Sequence, residues 1–333
     1  MIIIHKPGLL STLQDLGRTG YQQYGVIVSG SMDDFSHRMA NLLTGNPEEE
    51  ATLEMTLMGP TIQFDQEALI SICGGDLSPK INGRPVRSWR PIFVKKGTVL
   101  EFGYAQKGCR AYLAIAGGFS IPSVMESKST YLRAGIGGFQ GRTLKEEDAV
   151  PFGLPSPLGR KIMNSLSGQA GNQPFQEADW SAPDEQRILQ KKDGPLRVMK
   201  GRQYALFTPD SQTSFFQDAF TVSTESDRMG YRLKGSSLSL AIQEELLSEA
   251  VGFGSIQIPP DGNPIILLAD RQTTGGYPKI AQIAAVDLPL VAQTKPGETL
   301  RFTEVPLEEA QRMYLEREAD LSRLKEGIKL KYL

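Results

Sequence analysis

The chain has 333 residues, with 36 Lys and Arg against 38 Asp and Glu and a formal net charge of -2, a balance that gives no field to draw in nucleic acid or an anionic membrane. Hydrophobic content of 40% and charged content of 22% fit a globular protein with room for two cores, and no run approaches the roughly 20 apolar residues of a membrane span. Two cysteines (Cys73, Cys109) and two distant histidines (His5, His37) exclude a disulfide scaffold and a His-rich metal site; with the short, interrupted apolar start MIIIHKPG they point to a cytoplasmic chain.

Residues 14–32, QDLGRTGYQQYGVIVSGSM, are punctuated by glycine and lead into a helix. Asp33 or Asp34 can cap it, Phe35, Met39, Leu42 and Leu43 recur at helical spacing, and Gly45 stands where such a helix stops. A second short helical piece is expected across Glu48 to Met55. From Thr61 to Ala116 the pattern changes to short strands, TIQF, ALISIC, PIFV, TVLEF and AYLAIA, separated by turns such as Asn82-Gly83 and Lys96-Gly97. Many short strands at this spacing point to a barrel or sandwich rather than a doubly wound sheet.

Three blocks recur in the same order. Arg18-Thr19-Gly20-Tyr21 with Gly25 matches Arg228-Met229-Gly230-Tyr231 with Gly235. Glu54 and Gly59 before Ile62-Gln63-Phe64 match Glu249 and Gly254 before Ile256-Gln257-Ile258, and Lys95-x-Gly97-x-x-Leu100-x-Phe102 matches Lys295-x-Gly297-x-x-Leu300-x-Phe302. The pattern reads as two copies of one β-rich domain, 1–150 and 196–305. Between them, 151–195 is rich in Pro, Gly, Ser and charge and reads as a linker, with a short helix around Asp184 to Lys192. Pro306 can open a C-terminal helix over 306–333 whose apolar stripe is Leu307, Ala310, Met313, Tyr314, Leu321, Leu324 and Ile328.

The glycine-rich Ala134 to Arg142 (AGIGGFQGR) lacks both the spacing and the lysine of a P-loop, and Gln140 stands where GxGxxG needs its third glycine. Met199-Lys200 lacks the flanks of a biotinylated hairpin. No HExxH, CxxC pair or GxSxG occurs. What remains is polar and suited to small anions or amides. An arginine near tyrosine and glycine can fork onto a carboxylate while the backbone stays approachable; Arg18 with Tyr21, Arg228 with Tyr231, and Arg271 beside Gln272 and Thr273 qualify. Asp33, Asp76 in the Gly74-Gly75-Asp76 turn, Asp270 and Asp287 are carboxylates available for acid–base work. The densest set lies in Pro260 to Phe302, where the strand-like Ile265 to Ala269 runs into Asp270, Arg271, Gln272, Thr273 and Thr274, then a glycine pair and Tyr277-Pro278.

Taken together, QDLGRTGYQQYGVIVSGSMD, LEMTLMGPTIQF, the GGD turn, GGFQGRTLKEED, SDRMGYRLKG, GSIQIPPDGNPIILLADRQTTGGYP and DLPLVAQTKPGETLRF resemble the C subunit of the bacterial ATP-dependent 5-oxoprolinase (PxpC, KipA). That family is related to the carboxyltransferase part of biotin-dependent urea carboxylase and is also called allophanate hydrolase subunit 2. The likeness covers nearly the whole chain and is weakest in the linker and the C-terminal helix. It implies a mainly β fold of two tandem cyclophilin-like β-barrels with short helices and a C-terminal helix. It also implies a complex with partner subunits A and B that opens 5-oxo-L-proline to L-glutamate, with ATP bound in the complex, no metal, and no covalent biotin on this chain. In that setting Asp270, Gln272 and Tyr277 are expected to be catalytic, and Arg228, Tyr231, Arg271, Thr273 and Lys279 to bind substrate. Two other roles fit the same kinship: a carboxyltransferase component acting on urea or a related amide, and a regulatory protein antagonising a kinase inhibitor that resembles the B subunit.

Overall fold

The computed structural model describes residues 1–182, 194–242 and 246–333. The chain divides into two compact units, Met1–Arg18 with Ser29–Gln190 and Asp320–Leu333, and Thr19–Val28 with Lys191–Ala319. As expected, the protein is built mainly of strands.

The first unit carries two six-stranded sheets. One runs Ala149–Val150, Ile2–Lys6, Thr61–Phe64, Val99–Glu101, Lys80–Ile81, Arg84–Pro85; the other runs Phe175–Glu177, Ile92–Val94, Ala68–Asp76, Lys107–Ile115, Thr52–Thr56, Leu10–Gln14. The strand Ala68–Asp76 shows why the sequence there is almost continuously apolar. Side chains alternate across a strand, so Ala68, Ile70 and Ile72 join Ile2, Leu53, Ile62 and Leu113 in the core between the sheets. Leu69 and Cys73 face the other way, onto Phe35 and Met39 of the helix Asp34–Leu43, Ile162 and Leu166 of the helix Pro157–Ala170, and Leu321 and Ile328 of the C-terminal helix. With both faces covered, neither can be polar. Cys73 and Cys109 are buried free thiols.

Asp33 supplies the cap expected for the first helix, its carboxylate accepting from Ser36 N at 2.9 Å and Ser36 Oγ at 2.7 Å. Three local expectations change. Thr52–Thr56 is a strand, not part of a helix, because it fills the sheet between Leu10–Gln14 and Lys107–Ile115; that ladder overrides the modest helical propensity of Leu53 to Met55. Gly74-Gly75-Asp76 continues a strand instead of forming a turn. The span read as a linker is partly structured: it holds the helix Pro157–Ala170, capped by Ser156, and a strand, Phe175–Glu177, that pairs with Ile92–Val94. Ile162, Leu166 and Ala170, four apart, give that helix a buried face. The helix expected at Asp184 to Lys192 lies outside the described residues.

The second unit is an eight-stranded sheet in the order Thr299–Leu300, Phe220–Val222, Gly230–Lys234, Ile265–Leu267, Ser255–Gln257, Lys279–Ile283, Leu196–Lys200, Phe302–Glu304. Its two edge strands are consecutive in sequence, separated only by Arg301, so the sheet curls into a near-closed barrel whose edges are both short. The helix Pro209–Gln217, capped by Thr208, brings Phe215 into a stack with Phe302 (centroids 4.7 Å apart) beside Phe220. In the C-terminal helix Leu307–Lys331, Ala310 packs against Ala284 and Val305, whereas Leu307 and Tyr314 of the expected stripe are exposed.

Of the three repeated blocks, one has the same structure twice. Gly97 (φ +82°) and Gly297 (φ +88°) each sit in a tight turn; Thr98 N donates to Lys95 O and Glu298 N to Lys295 O, and each glycine N–H reaches a neighbouring strand, at Phe64 O and Val222 O. The partner of Gly297 is thus in Phe220–Val222, so that strand, not Ser255–Gln257, answers to Thr61–Phe64. Likewise Arg18 precedes a positive-φ Gly20 in a loop, whereas Gly230 opens a strand. A Cβ at Gly297 would meet nothing within 4 Å. Gly297→Ala therefore costs left-handed backbone strain alone, about 1 kcal/mol, readable as a lowered urea midpoint.

Candidate functional site

Strand register sorts the expected site residues to opposite ends of the second barrel. Gly230 stands opposite Leu267, and Gln257 opposite both Ile265 and Lys279. Arg228 and Asp270 flank the Gly230–Leu267 end. There Arg228 Nε donates to Asp270 Oδ2 at 3.0 Å and Nη2 to Oδ1 at 3.1 Å, while Asp270 N donates to Arg228 O at 2.8 Å. Both side chains are buried. This is a two-pronged buried ion pair that ties the turn before one strand to the turn after its neighbour. Tyr231 points inward, 2% exposed, with its hydroxyl donating to Thr294 O at 3.3 Å; strand alternation puts Tyr231 and Leu233 inside and Arg232 and Lys234 outside. Asp287 is likewise engaged, accepting from Arg197 N and Nε at 2.8 and 2.9 Å and pairing with Nη2.

After Asp270 the chain crosses the outside of the barrel as one arm of a ribbon. Thr274–Gly275 pairs with Glu249–Ala250, and Val251 N donates to Thr273 O. Arg271 folds back under it, Nε donating to Val251 O and Nη1 to Leu268 O at 3.3 and 3.2 Å, with its guanidinium 5.7 Å from the Phe253 ring centroid. Burial pulls its pKa below the ordinary arginine value. Gln272 and Tyr277 are exposed on the ribbon, and Thr273 is half-buried.

Beneath the ribbon lies the outer wall of the barrel. Ile256 is fully buried, so Ser255 and Gln257 share the opposite, outward face. Ser255 Oγ donates to Gln282 Oε1 at 2.8 Å, and Gln282 Nε2 donates to Phe253 O of the ribbon at 2.8 Å. Gln257 stands beside Lys279 in the ladder. Lys279 Nζ pairs with Glu249 Oε1 at 2.5 Å, and Glu249 also accepts from Gln203 Nε2 at 2.9 Å and Arg202 Nη1 at 3.2 Å. The Lys279 ammonium, then the Gln203 amide, hold the Glu249 carboxyl below the usual range. Lys279, Gln203, Gln257 and Glu249 thus form one polar group on two strands, a loop and the ribbon, capped by Thr274–Gly275.

The wall unites Lys279 with residues that single-residue reading leaves out, Gln203, Glu249, Gln257 and Gln282. Only Ser255-Ile256-Gln257 carries a period-of-two signal, two polar side chains flanking an apolar one; Lys279 and Gln282, three apart, reach the same side through the register shift opposite Ile256 and Gln257. The glycine-rich segment packs on its own unit: a Cβ on Gly137 would come 2.0 Å from Ser129 O, and one on Gly138 1.8 Å from Thr130 Oγ1. A groove of about 570 Å³ in the first unit has a mainly apolar floor of Leu42, Pro157, Leu158 and Ile328, with Lys161, Lys325 and Lys329 also in its lining. Among the described residues no cluster of three His, Cys, Asp or Glu could hold a metal ion, and no helix is long and apolar enough to cross a membrane.

The second unit is thus a barrel with an amide- and lysine-lined polar patch on its outer wall. Residues 24–304 match the family described as carboxyltransferase domain, subdomain A and B. The chain is 36% identical over 315 residues to the 5-oxoprolinase C subunit of Haemophilus influenzae, covering 95% of this chain and 94% of the relative. It is 36% identical over 311 residues to its counterpart of the same name in Escherichia coli, covering 93% of each. The solved urea amidolyase of K. lactis superposes with a TM-score of 0.85 at 30% identity, over 97% of this chain and 20% of that one. The chain therefore belongs to the carboxyltransferase-domain family that includes the 5-oxoprolinase C subunits.

Proposed function

We propose that this chain is the C subunit of an ATP-dependent 5-oxoprolinase, which with partner subunits A and B opens 5-oxo-L-proline to L-glutamate, and that the patch under the ribbon binds the substrate. The observation that carries this reading is 36% identity to two proteins named as 5-oxoprolinase C subunits, along 93–95% of the chain. The chemistry of the patch supports it. 5-Oxoproline presents a carboxylate, a lactam N–H and a lactam oxygen; Lys279 and the amides of Gln203 and Gln257 offer donors, and Glu249 an acceptor. Ring opening places negative charge on the lactam oxygen, and a fixed ammonium with an amide N–H beside it favours that charge. ATP is the co-substrate that makes the stable amide reactive, and it is bound in the assembled complex, on a partner subunit, at an interface or through a loop of this chain that matches no standard phosphate motif.

The test is glutamate release from 5-oxoproline and ATP by the mixed subunits, each omitted in turn. Lys279→Met is expected to lower turnover by about ten- to a hundredfold, the loss of one charge-assisted hydrogen bond, while the subunits still co-purify. Undiminished turnover by that variant overturns the placement of the site, and turnover by the isolated chain overturns the need for partners.

A second reading, carboxyl transfer to urea or a related amide, is favoured by the likeness to the urea amidolyase structure. It requires a separate biotin carboxylase and biotin carrier, and predicts urea-dependent consumption of ATP and bicarbonate instead of glutamate release.

A further inference from the structure

Gln257 is the polar side chain on the barrel wall that the fold does not account for. It is 4% exposed, yet its Nε2, which carries two N–H donors, has no hydrogen-bond partner. Its neighbours on the wall are satisfied: Ser255 bonds to Gln282, and Gln282 to Phe253 O. An unmet buried donor is a standing cost to the folded state, so a glutamine kept here needs a purpose that leucine would not serve.

Its surroundings say what kind of partner fits. Gln257 lies directly across the ladder from Lys279, so the two side chains leave the same face of the sheet, the ammonium reaching Glu249 and the amide left with donors to spare. Above it, Gly275 brings its backbone so close that a Cβ there would stand 2.6 Å from Nε2, which gives the amide a cover and restricts what can reach it. Two neighbouring donors, one charged and one neutral, match a single oxygen that carries or gains negative charge.

We propose that Gln257 Nε2 donates to the lactam oxygen of the substrate next to Lys279, and that this bond is how the site tells a lactam from the corresponding saturated ring. The proposal rests on the reading of this wall as the 5-oxoproline site. L-Proline has the ring and the carboxylate but no oxygen at that carbon, and would leave Gln257 unpaired; a site built to bond an oxygen rejects a ligand that lacks it.

The experiment is calorimetric binding of 5-oxo-L-proline and L-proline to the full chain assembled with its partner subunits, as wild type, Gln257→Leu and Gln257→Glu, with the Tm of each. Wild type is expected to prefer 5-oxoproline. Gln257→Leu should bind 5-oxoproline about tenfold more weakly, the size of one hydrogen bond, with proline unchanged and a Tm equal to or above wild type. Gln257→Glu, which keeps the shape but turns donors into acceptors, should lose 5-oxoproline binding as well. If Gln257→Leu lowers the Tm and weakens both ligands together, the amide is structural and the proposal fails. If wild type binds 5-oxoproline and both variants match it, only the role of Gln257 is overturned. If wild type binds no 5-oxoproline at all, the substrate assignment falls with it.

Discussion

Asp270→Ala is expected to destabilise the protein by about 3–5 kcal/mol, the usual cost of removing one partner from a buried ion pair. Arg228 is 5% exposed and Asp270 6%, so the guanidinium left behind would stay in a site from which water is excluded. Both carboxylate oxygens accept from Arg228, and the turn at Asp270 N is bonded to Arg228 O; the side-chain pair and the backbone bond hold the same two turns. Replacing both residues by leucine should recover most of the loss, because the penalty comes from a stranded charge more than from a missing attraction. Equilibrium urea unfolding of Asp270→Ala, Arg228→Leu and the double variant gives the comparison. A wild-type midpoint for Asp270→Ala in a complex that has lost turnover would instead make Asp270 a chemical group and defeat the structural assignment.

Asp270 also shows where sequence reading reaches its limit. Arginine, aspartate, glutamine and threonine packed after an apolar run look like a ligand site because sequence displays residue types but not their partners. Here the arginine that Asp270 binds is 42 residues earlier and is met through both carboxylate oxygens. Elsewhere local physics is enough. Ile70 and Ile72 alternate with Leu69 in a strand whose period is visible by eye, and Asp33 with Ser36 marks a helix start through one short-range bond. Thr52–Thr56 is easily misread because its pairing partners lie about 40 and 60 residues away, and propensity is weak beside a completed ladder. The polar wall is half legible. Lys279 stands out as a charge, but Gln203, Glu249 and Gln257 meet it only through the register of Ser255–Gln257 against Lys279–Ile283 and the ribbon above. The repeat misleads for the same reason: Ile256-Gln257-Ile258 looks like Ile62-Gln63-Phe64, yet the strand bonded to the Gly297 turn is Phe220–Val222.

Acidification from pH 7 to pH 4 is expected to remove about 3 kcal/mol of stability through His37 alone. The imidazole is fully buried on the helix Asp34–Leu43, its Nδ1 2.8 Å from Thr52 Oγ1. Burial pushes its pKa down to about 4; the carboxylates of Asp15 and Glu54 pull the other way, Arg38 adds to the lowering, and burial wins. In the unfolded chain the same ring titrates near its ordinary value of 6.5. Between those two values the unfolded state holds a proton that the folded state does not, so stability is whole above about pH 6.5, declines as the pH falls, and has lost this contribution by about pH 4. Other carboxylates also titrate below pH 5, and a matched variant separates them: His37→Gln cannot take up the proton, while the rest of the titration stays the same. Urea midpoints measured at intervals from pH 7.5 to 4 should fall more steeply for wild type than for His37→Gln, most of the divergence arising between pH 6.5 and 4.5. Parallel curves over that interval would mean that the ring is protonated in the folded protein, the pull of the Asp15 and Glu54 carboxylates outweighing burial.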